Sequence, residues 1–495
     1  MRKRIIIIAQ IFLLFFTITS AQEIEIRSVP LIGINQTDFQ PSLSRGMGNL
    51  SIAFDDPISD PFINPARASK LRGVNIFFSP TFNSWSNKEG SSVSSNWGSS
   101  KYTGTGVNSL PFGLFLRKDN FFAGGIITYQ SYSSERTTLT NLVWYNNQVN
   151  NSVKKDKGDN TYLWGLIGTS IPEMKVSIAG SFAWSKYKAL DGVNLLYPGS
   201  YDITQDGWSL GFKLGLIGEI SEKDQLELVI GRSIFKSSHE VLYYMPYIWS
   251  MAGGYRSELN KDESNSWAIQ TKYNKSINNG WKLGAVFTLN WKEHPKIPNY
   301  SLANIPRDPG FSTAYNLGVG FTHTGEKTIA GFEYIYEPIS SNTWATPDEL
   351  SLLPPTFKTV ENFFDFYDHF FRAGILSHTE FKWFDYRFGA QLHFYKYDLK
   401  QDDNLRYTSR NADEHWLETS LCTGLTFRFS GFQIYYTLQI ILGNGIVGTQ
   451  TSNIFPVMDF ASEKSANDFL IAPSGSLTVD NITLITQQIT FLYNL

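Results

Sequence analysis

Trp281-Lys282-Leu283-Gly284-Ala285-Val286-Phe287-Thr288-Leu289-Asn290-Trp291-Lys292 decides the fold. Trp281, Leu283, Ala285, Phe287, Leu289 and Trp291 form one wholly apolar face. Lys282, Gly284, Val286, Thr288, Asn290 and Lys292 form a small or polar one. A period of two is the signature of a strand, whose successive side chains point to opposite faces. The pattern recurs along the chain. Leu417, Thr419, Leu421, Thr423, Leu425, Phe427 and Phe429 oppose Glu418, Ser420, Cys422, Gly424, Thr426 and Arg428. Phe388, Ala390, Leu392 and Phe394 oppose Arg387, Gly389, Gln391 and His393, while Ala330, Phe332, Tyr334 and Tyr336 oppose Glu333 and Glu337.

Behind an export signal, so many one-sided strands imply that the apolar face meets lipid and the polar face an interior. Placing Arg or Lys on lipid near the midplane would cost roughly 2–4 kcal/mol each, which fixes the facing. Residues 1–21 read as that signal. Arg2, Lys3 and Arg4 precede an apolar run from Ile5 to Ile18, and Thr19-Ser20-Ala21 offers a cleavage site; an uncleaved anchor is the alternative. No later run has the length of a membrane-spanning helix.

Periodicity predicts sixteen strands between 72–82 and 481–495, with fourteen as the alternative because Pro80 and Pro111 interrupt the first two. Short joints such as Lys118-Asp119, Pro172-Glu173, Thr324 to Lys327, Trp383 to Asp385 and Ser430-Gly431 alternate with long ones at 83–105, 132–160, 188–206, 238–264, 293–310, 338–369, 398–413 and 444–480. The expectation is an all-β, transmembrane, antiparallel up-and-down β-barrel of 14–16 strands. Its short turns would face the periplasm and its long loops the outside of a Gram-negative outer membrane.

The net charge of −3 leaves no footprint for nucleic acid. The single Cys422 excludes a disulfide scaffold and reads as a small filler. The seven histidines show no metal-ligand spacing; His378 and His393 fall on interior faces. No GxSxG nucleophile motif stands in a strand-turn-helix setting, so a non-enzyme without metal or cofactor is expected. Gly443-Asn444-Gly445-Ile446-Val447-Gly448 fits GxGxxG, but with no βαβ unit around it reads as a flexible loop exit.

Residues 22–71 do not alternate. They hold Gly46-Met47-Gly48, Asp55-Asp56 and Asn64-Pro65-Ala66, and Asn64 can cap a short helix begun by Pro65 and running to about Leu71. These motifs, in this order ahead of a barrel, resemble the opening of the FadL-like long-chain fatty-acid transporter family, which the PorV-like type IX secretion barrels share. The resemblance covers about 25 residues closely. It departs from the family at Asn49 and Leu50, where Gly and Ala are usual, and at Arg67, where Gly commonly follows. It implies a barrel of fourteen strands, an N-terminal plug (22–71) inside a 72–495 barrel, and passage of hydrophobic, fatty-acid-like molecules. Gly46, Met47, Gly48, Asp55, Asp56, Asn64, Pro65 and Ala66 would then be plug or gating residues; a plug that only seals is the alternative.

Two long joints are apolar. One holds Leu242, Tyr243, Tyr244, Met245 and Trp249; the other holds Phe357, Phe363, Phe364 and Phe366, with a helix expected from about Thr359. Apolar patches outside a membrane suggest a groove for a hydrophobic small molecule or for a secreted protein; a packed lid or part of the aromatic girdle is the alternative. The remaining expected partners are membrane lipid and the outer-membrane assembly machinery. The last strand, with Ile489, Phe491, Tyr493 and Leu495 on one face, resembles the C-terminal signal which that machinery reads, although Phe is the usual last residue.

Overall fold

The computed structural model describes residues 36–95, 98–140, 150–191, 193, 200–245, 254–277, 279–294, 310–345, 354, 356–358, 360–404, 407–446, 477–478 and 482–495. The expected signal segment 1–21 and Trp249 lie outside them. The strands are β1 (Val74–Phe78), β2 (Thr81–Ser95), β3 (Gly98–Lys118), β4 (Phe121–Thr140), β5 (Asn150–Ile171), β6 (Val176–Tyr187), β7 (Asp202–Glu219), β8 (Asp224–Met245), β9 (Gly254–Ser276), β10 (Trp281–His294), β11 (Gly310–Thr324), β12 (Thr328–Ala345), β13 (Val360–His378), β14 (Phe384–Asp403), β15 (Thr408–Phe429), β16 (Phe432–Ile446), β17 (Leu477–Thr478) and β18 (Ile482–Asn494).

Every neighbouring pair is antiparallel, and β18 returns to β1 and β2, so the sheet closes. β1 and β2 are one stave split at Ser79-Pro80. Both pair with β3 and β18 in the same register on either side of the split, the β2–β3 register shifting only further up, between Ser86 and Ser91, and Pro111 on β3 stands opposite the split. The two prolines each remove a donor at the same height, so the ladder parts there without slipping. Two-residue β17 continues β18 along β2. The result is a transmembrane up-and-down barrel of sixteen staves, two more than the family resemblance implies.

The facing follows the sequence. Trp281, Leu283 and Phe287 are exposed on the outside, whereas Thr288 and Asn290 are fully buried inside. Phe388, Leu392 and Phe394 point out, and Arg387 and His393 point in. The tight turns use left-handed residues at Asp119, Asn279 and Gly431. The turn between β13 and β14 lies at 379–383, earlier than Trp383 to Asp385.

Most of the expected long loops are strand. β8 and β9 run for 22 and 23 residues, and β13 covers 360–378, replacing the helix expected from Thr359. Gly443-Asn444-Gly445 pairs with Trp416 to Glu418 inside β16 and is no loop exit. The physical reason is length. At about 3.3 Å per residue such strands reach roughly 75 Å, against an apolar band about 25 Å tall. Beyond the band the outer face meets water while inward residues such as His239, Val241, Phe364 and Phe366 stay buried, so the strand continues without an outward apolar stripe. Cross-strand pairs such as Lys236–Glu263 (2.8 Å) and Lys155–Glu135 (3.1 Å) decorate it instead.

Leu421 stands exposed on the outer face of β15. Leu421→Arg is expected to destabilise the barrel by roughly 2–4 kcal/mol, while Ser420→Ala, one residue along and facing in, should cost far less. Denaturant unfolding in lipid vesicles measures the difference.

Candidate functional site

Residues 36–71 touch the inner face of the sheet almost all the way round. Gln488 of β18 donates to the carbonyl of Gln40 (3.0 Å), and Gln36 donates to Gln130 of β4 (3.2 Å). Lys213 of β7 donates to the carbonyl of Phe62 (2.9 Å), Thr322 of β11 to that of Ala53 (3.3 Å), and Arg372 of β13 to that of Asn49 (3.1 Å). Only a chain inside a closed sheet reaches all of these. The segment has turns at Ser44–Met47, Asp60–Ile63 and Pro65–Lys70; Asn64 caps the last by accepting from the Ala66 amide (3.1 Å), with Pro65 following it as the sequence implies.

The motif residues fall into two kinds. Gly46, Met47 and Gly48 make the close approach. Gly48 has φ +71°, and a side chain there would meet the Ala390 carbonyl at 2.6 Å and that of Ala373 at 2.8 Å. The barrel reciprocates with inward glycines. A side chain on Gly374 or Gly389 would collide with Met47 backbone at 2.3 or 2.2 Å, and one on Gly284 would meet Ile52 at 2.9 Å. Gly331, Gly374 and Gly389 are direct cross-strand partners on β12, β13 and β14, so a shelf of bare backbone receives the segment. Met47 is fully buried against it, while Ala66 is fully buried on the other side, in the cluster with Phe62, Phe115 and Trp164.

The acidic residues do the fastening. Asp56 is internal: it accepts from the amides of Leu43 (2.6 Å) and Ser44 (2.9 Å) and from Ile58 and Ser59 (both 3.3 Å), tying two turns together. Asp55 reaches Arg67 (2.7 Å) and Lys282 of β10 (2.6 Å). Burial raises its carboxyl, but Arg67, Lys282 and Lys70 outweigh that and hold it well below the usual carboxylate range. Burial pushes the Asp60 carboxyl up to about 6, against the pull of Arg67.

Sequence reasoning missed the centre of this network. Arg67, noted only as a departure, is buried and donates to Asp55, Asp60 and Glu227 of β8. Burial disfavours its charge, yet Asp60, Glu227 and Asp55 raise it well above the ordinary guanidinium value. A second clamp is Glu333 of β12, fully buried, whose carboxylate accepts from the amides of Ser51 (2.8 Å), Ile52 and Ala53 (3.3 Å). Three successive amides converging on one carboxylate form an anion-binding concavity that the barrel itself fills. The signal was present in the parity of β12, which placed Glu333 inside, but nothing in the sequence supplied its partner.

The expected capture residues are not brought together. Leu242, Tyr243, Tyr244 and Met245 lie on β8, and Phe363, Phe364 and Phe366 on β13, with β9 to β12 between them. They belong to paired strands, not loops, because aromatic residues suit a pleated surface and both neighbours complete the ladder. Phe363 is exposed, whereas Phe364 and Phe366 are buried inside beside Tyr397 (ring centroids 6.2 and 4.9 Å). Phe357 precedes β13 and is half-buried. Cys422 is buried on an inward position, and no cluster of metal-ligating side chains occurs among the described residues.

One flaw in the wall stands out. The β11–β12 ladder runs to Ala314↔Ile339 and resumes at Leu317↔Tyr336; Tyr315, Asn316, Glu337 and Pro338 are unpaired there, and Pro338 has no N–H to give. On the outer face beside this break lies a concavity of about 840 Å³, lined by residues including Leu226, Phe287, Leu317, Val319, Tyr336 and Tyr367.

No family model and no curated protein matches the chain. Among solved structures it is similar to the toluene transporter TbuX of Ralstonia pickettii (12% identity, 93% of this chain and 99% of that one, TM-score 0.41). A FadL homologue of Pseudomonas aeruginosa matches with 9% identity, 94% and 99% coverage and TM-score 0.46. The toluene transporter TodX of P. putida matches with 11% identity, 92% and 98% coverage and TM-score 0.42.

Removing Arg67 strands Glu227, which is buried to the same degree. Arg67→Ala is therefore expected to weaken the docking of the segment by roughly 3–5 kcal/mol, whereas losing the exposed pair Lys155–Glu135 should cost at most about 1 kcal/mol. Glu333→Ala should expose the amides of residues 51–53 to hydrogen exchange, read by mass spectrometry, with the strand ladders still protected.

Proposed function

We propose that this chain is an outer-membrane barrel that admits hydrophobic small molecules, with residues 36–71 as its plug and gate. The observation that carries the reading is the apolar concavity beside the broken β11–β12 ladder. A continuous antiparallel wall satisfies every backbone group with its neighbour, and an unsatisfied one in hydrocarbon costs several kcal/mol. A break at the lipid face therefore needs a use, and an apolar exit from the lumen is one. The interior route is closed by the segment, so passage requires Met47 and Gly48 to leave their glycine shelf or the side wall to open. The driving force is desolvation, roughly 25 cal/mol per Å² of apolar surface removed from water. No cofactor or covalent step enters the scheme.

A second reading, a barrel that holds exported proteins of the type IX secretion kind, draws on the height of the staves above the apolar band. The outward charged pairs on those extensions suit a polar partner surface better than a greasy one.

Filling the concavity separates the two. Leu317→Trp with Val319→Trp is expected to lower uptake of a radiolabelled long-chain hydrocarbon by roughly tenfold, the equivalent of about 1.4 kcal/mol, at equal barrel abundance. Unchanged uptake would remove the side exit. Co-purification of secreted proteins with both variant and wild type, and no hydrocarbon uptake by either, would favour the second reading.

A further inference from the structure

The connection between β6 and β7 does not stay outside. It is one of the long joints, yet its described residues 188–191, 193 and 200 turn in over the lumen, and Ala189, Leu190, Val193 and Ser200 are buried. Loops ordinarily run over a surface, because a buried one carries backbone groups that lack partners. Here the wall supplies the partners. Asn160 of β5 accepts from the amides of Lys188 (2.9 Å) and Ala189 (3.2 Å) and donates to the Ala189 carbonyl (2.8 Å). Gln205 of β7 accepts from the Leu190 amide (2.8 Å). Arg136 of β4 donates to Ser200 Oγ (2.9 Å) and to the Ser200 carbonyl (3.2 Å). Gly158 of β5 leaves the room, since a side chain there would meet the Ala189 methyl at 2.6 Å.

Beneath the connection lies the far end of the docked segment. The segment enters at Leu71, beside the tight turns, where Arg117 donates to the Leu71 carbonyl (3.5 Å). It climbs to Gln36, whose carbonyl accepts from Gln130, well up β4 (2.8 Å). There both ends of the Gln36 carboxamide reach the connection. Its nitrogen donates to the Ala189 carbonyl (3.1 Å), and its oxygen accepts from the Asp191 amide (2.7 Å). Apolar packing joins the same parts. Leu190 and Val193 share one buried cluster with Phe39, Tyr162 and Tyr187, and Phe39 of the segment meets Tyr162 at 4.8 Å between ring centroids.

We infer that the β6–β7 connection is a lid over the outer end of the segment, and that Gln36 couples the two so that they open together. The inference rests on reading residues 36–71 as the plug, and it adds what holds that plug from above. If Gln36 leaves alone, the Asp191 amide gives up this acceptor and the Ala189 carbonyl one of its two donors. If the lid lifts alone, the buried Gln36 oxygen loses its donor. A buried polar group left without its partner bears its full desolvation penalty, so the two parts move more readily as one than apart. A molecule arriving from outside meets the lid first, and the outer end of the plug answers to what the lid does.

Hydrogen exchange read by mass spectrometry, on the full chain in lipid nanodiscs, tests the coupling. Gln205→Ala loosens the lid from the wall side and Gln36→Ala from the segment side; both are checked for folding by heat-modifiable mobility. Gln205→Ala is expected to speed exchange roughly three- to tenfold, the worth of one hydrogen bond, in the lid amides of 188–191 and equally in the segment amides of Ser42 and Leu43. Gln36→Ala should speed the same lid amides by a similar factor. The amides of 51–53, held by Glu333, should stay protected in both variants. Gln205→Glu keeps an acceptor for Leu190 and should match the unaltered chain. Faster exchange confined to the lid in Gln205→Ala, or to the segment in Gln36→Ala, overturns the coupling whatever the uptake assay gives. Coupled exchange in a chain that takes up no hydrocarbon would uphold the lid and remove only the uptake reading.

Discussion

Hydrocarbon offers the backbone no hydrogen bonds, and every feature of this molecule answers that fact. Sixteen staves each give their amides and carbonyls to two neighbours, and the last stave returns to the first. Facing follows, because a side chain must then point either to lipid or to the lumen. So does the rarity of breaks. Where Pro80 and Pro111 interrupt the wall, hydroxyls bridge the gap: Ser79 and Thr490 are hydrogen-bonded at 2.6 Å. The break at Pro338 has a side-chain bond from Asn316 to Glu337 instead, and an apolar hollow beside it.

The interior obeys a different economy. There the polar set is free to hold something, and what it holds is the protein's own N-terminal segment. Two carboxylates on the wall, Glu227 and Glu333, meet a guanidinium and a cluster of amides from the segment. Desolvation makes such pairs weak sources of net stability but strong determinants of position. The glycines of β12, β13 and β14 set how close the segment can come, and the charges set where along the wall it stops. Gly-Met-Gly and Asp-Asp thus describe a docking geometry before they describe any transport step.

Much of this was legible in the sequence where lipid imposes a rule. Trp281 to Lys292 gave the facing of β10, and the Gly, Asn and Asp positions gave the tight turns. Beyond the apolar band the rule lapses. In the outer half of β9, Tyr255, Ser257, Leu259 and Lys261 alternate with Arg256, Glu258, Asn260 and Asp262, and neither set is apolar. Such a stretch looks like a loop although its ladder with β8 is continuous. The segment 350–371 misled in the opposite sense: its many aromatics suggested a greasy loop and a helix, but half of them face the lumen and pack on the neighbouring stave. Arg67 was hidden for a third reason, since its three acidic partners are brought together only by the fold.

The seam between β1 and β18 joins residues from opposite ends of the described chain. The Val74 amide donates to the Leu495 carbonyl (3.2 Å), and the Leu495 amide returns a bond to Val74 (2.9 Å). Gly73 sits so close that a side chain there would meet the Leu495 carbonyl at 2.3 Å. The root of the docked segment is thus stitched to the stave that closes the ring, so one seam both shuts the barrel and anchors the segment.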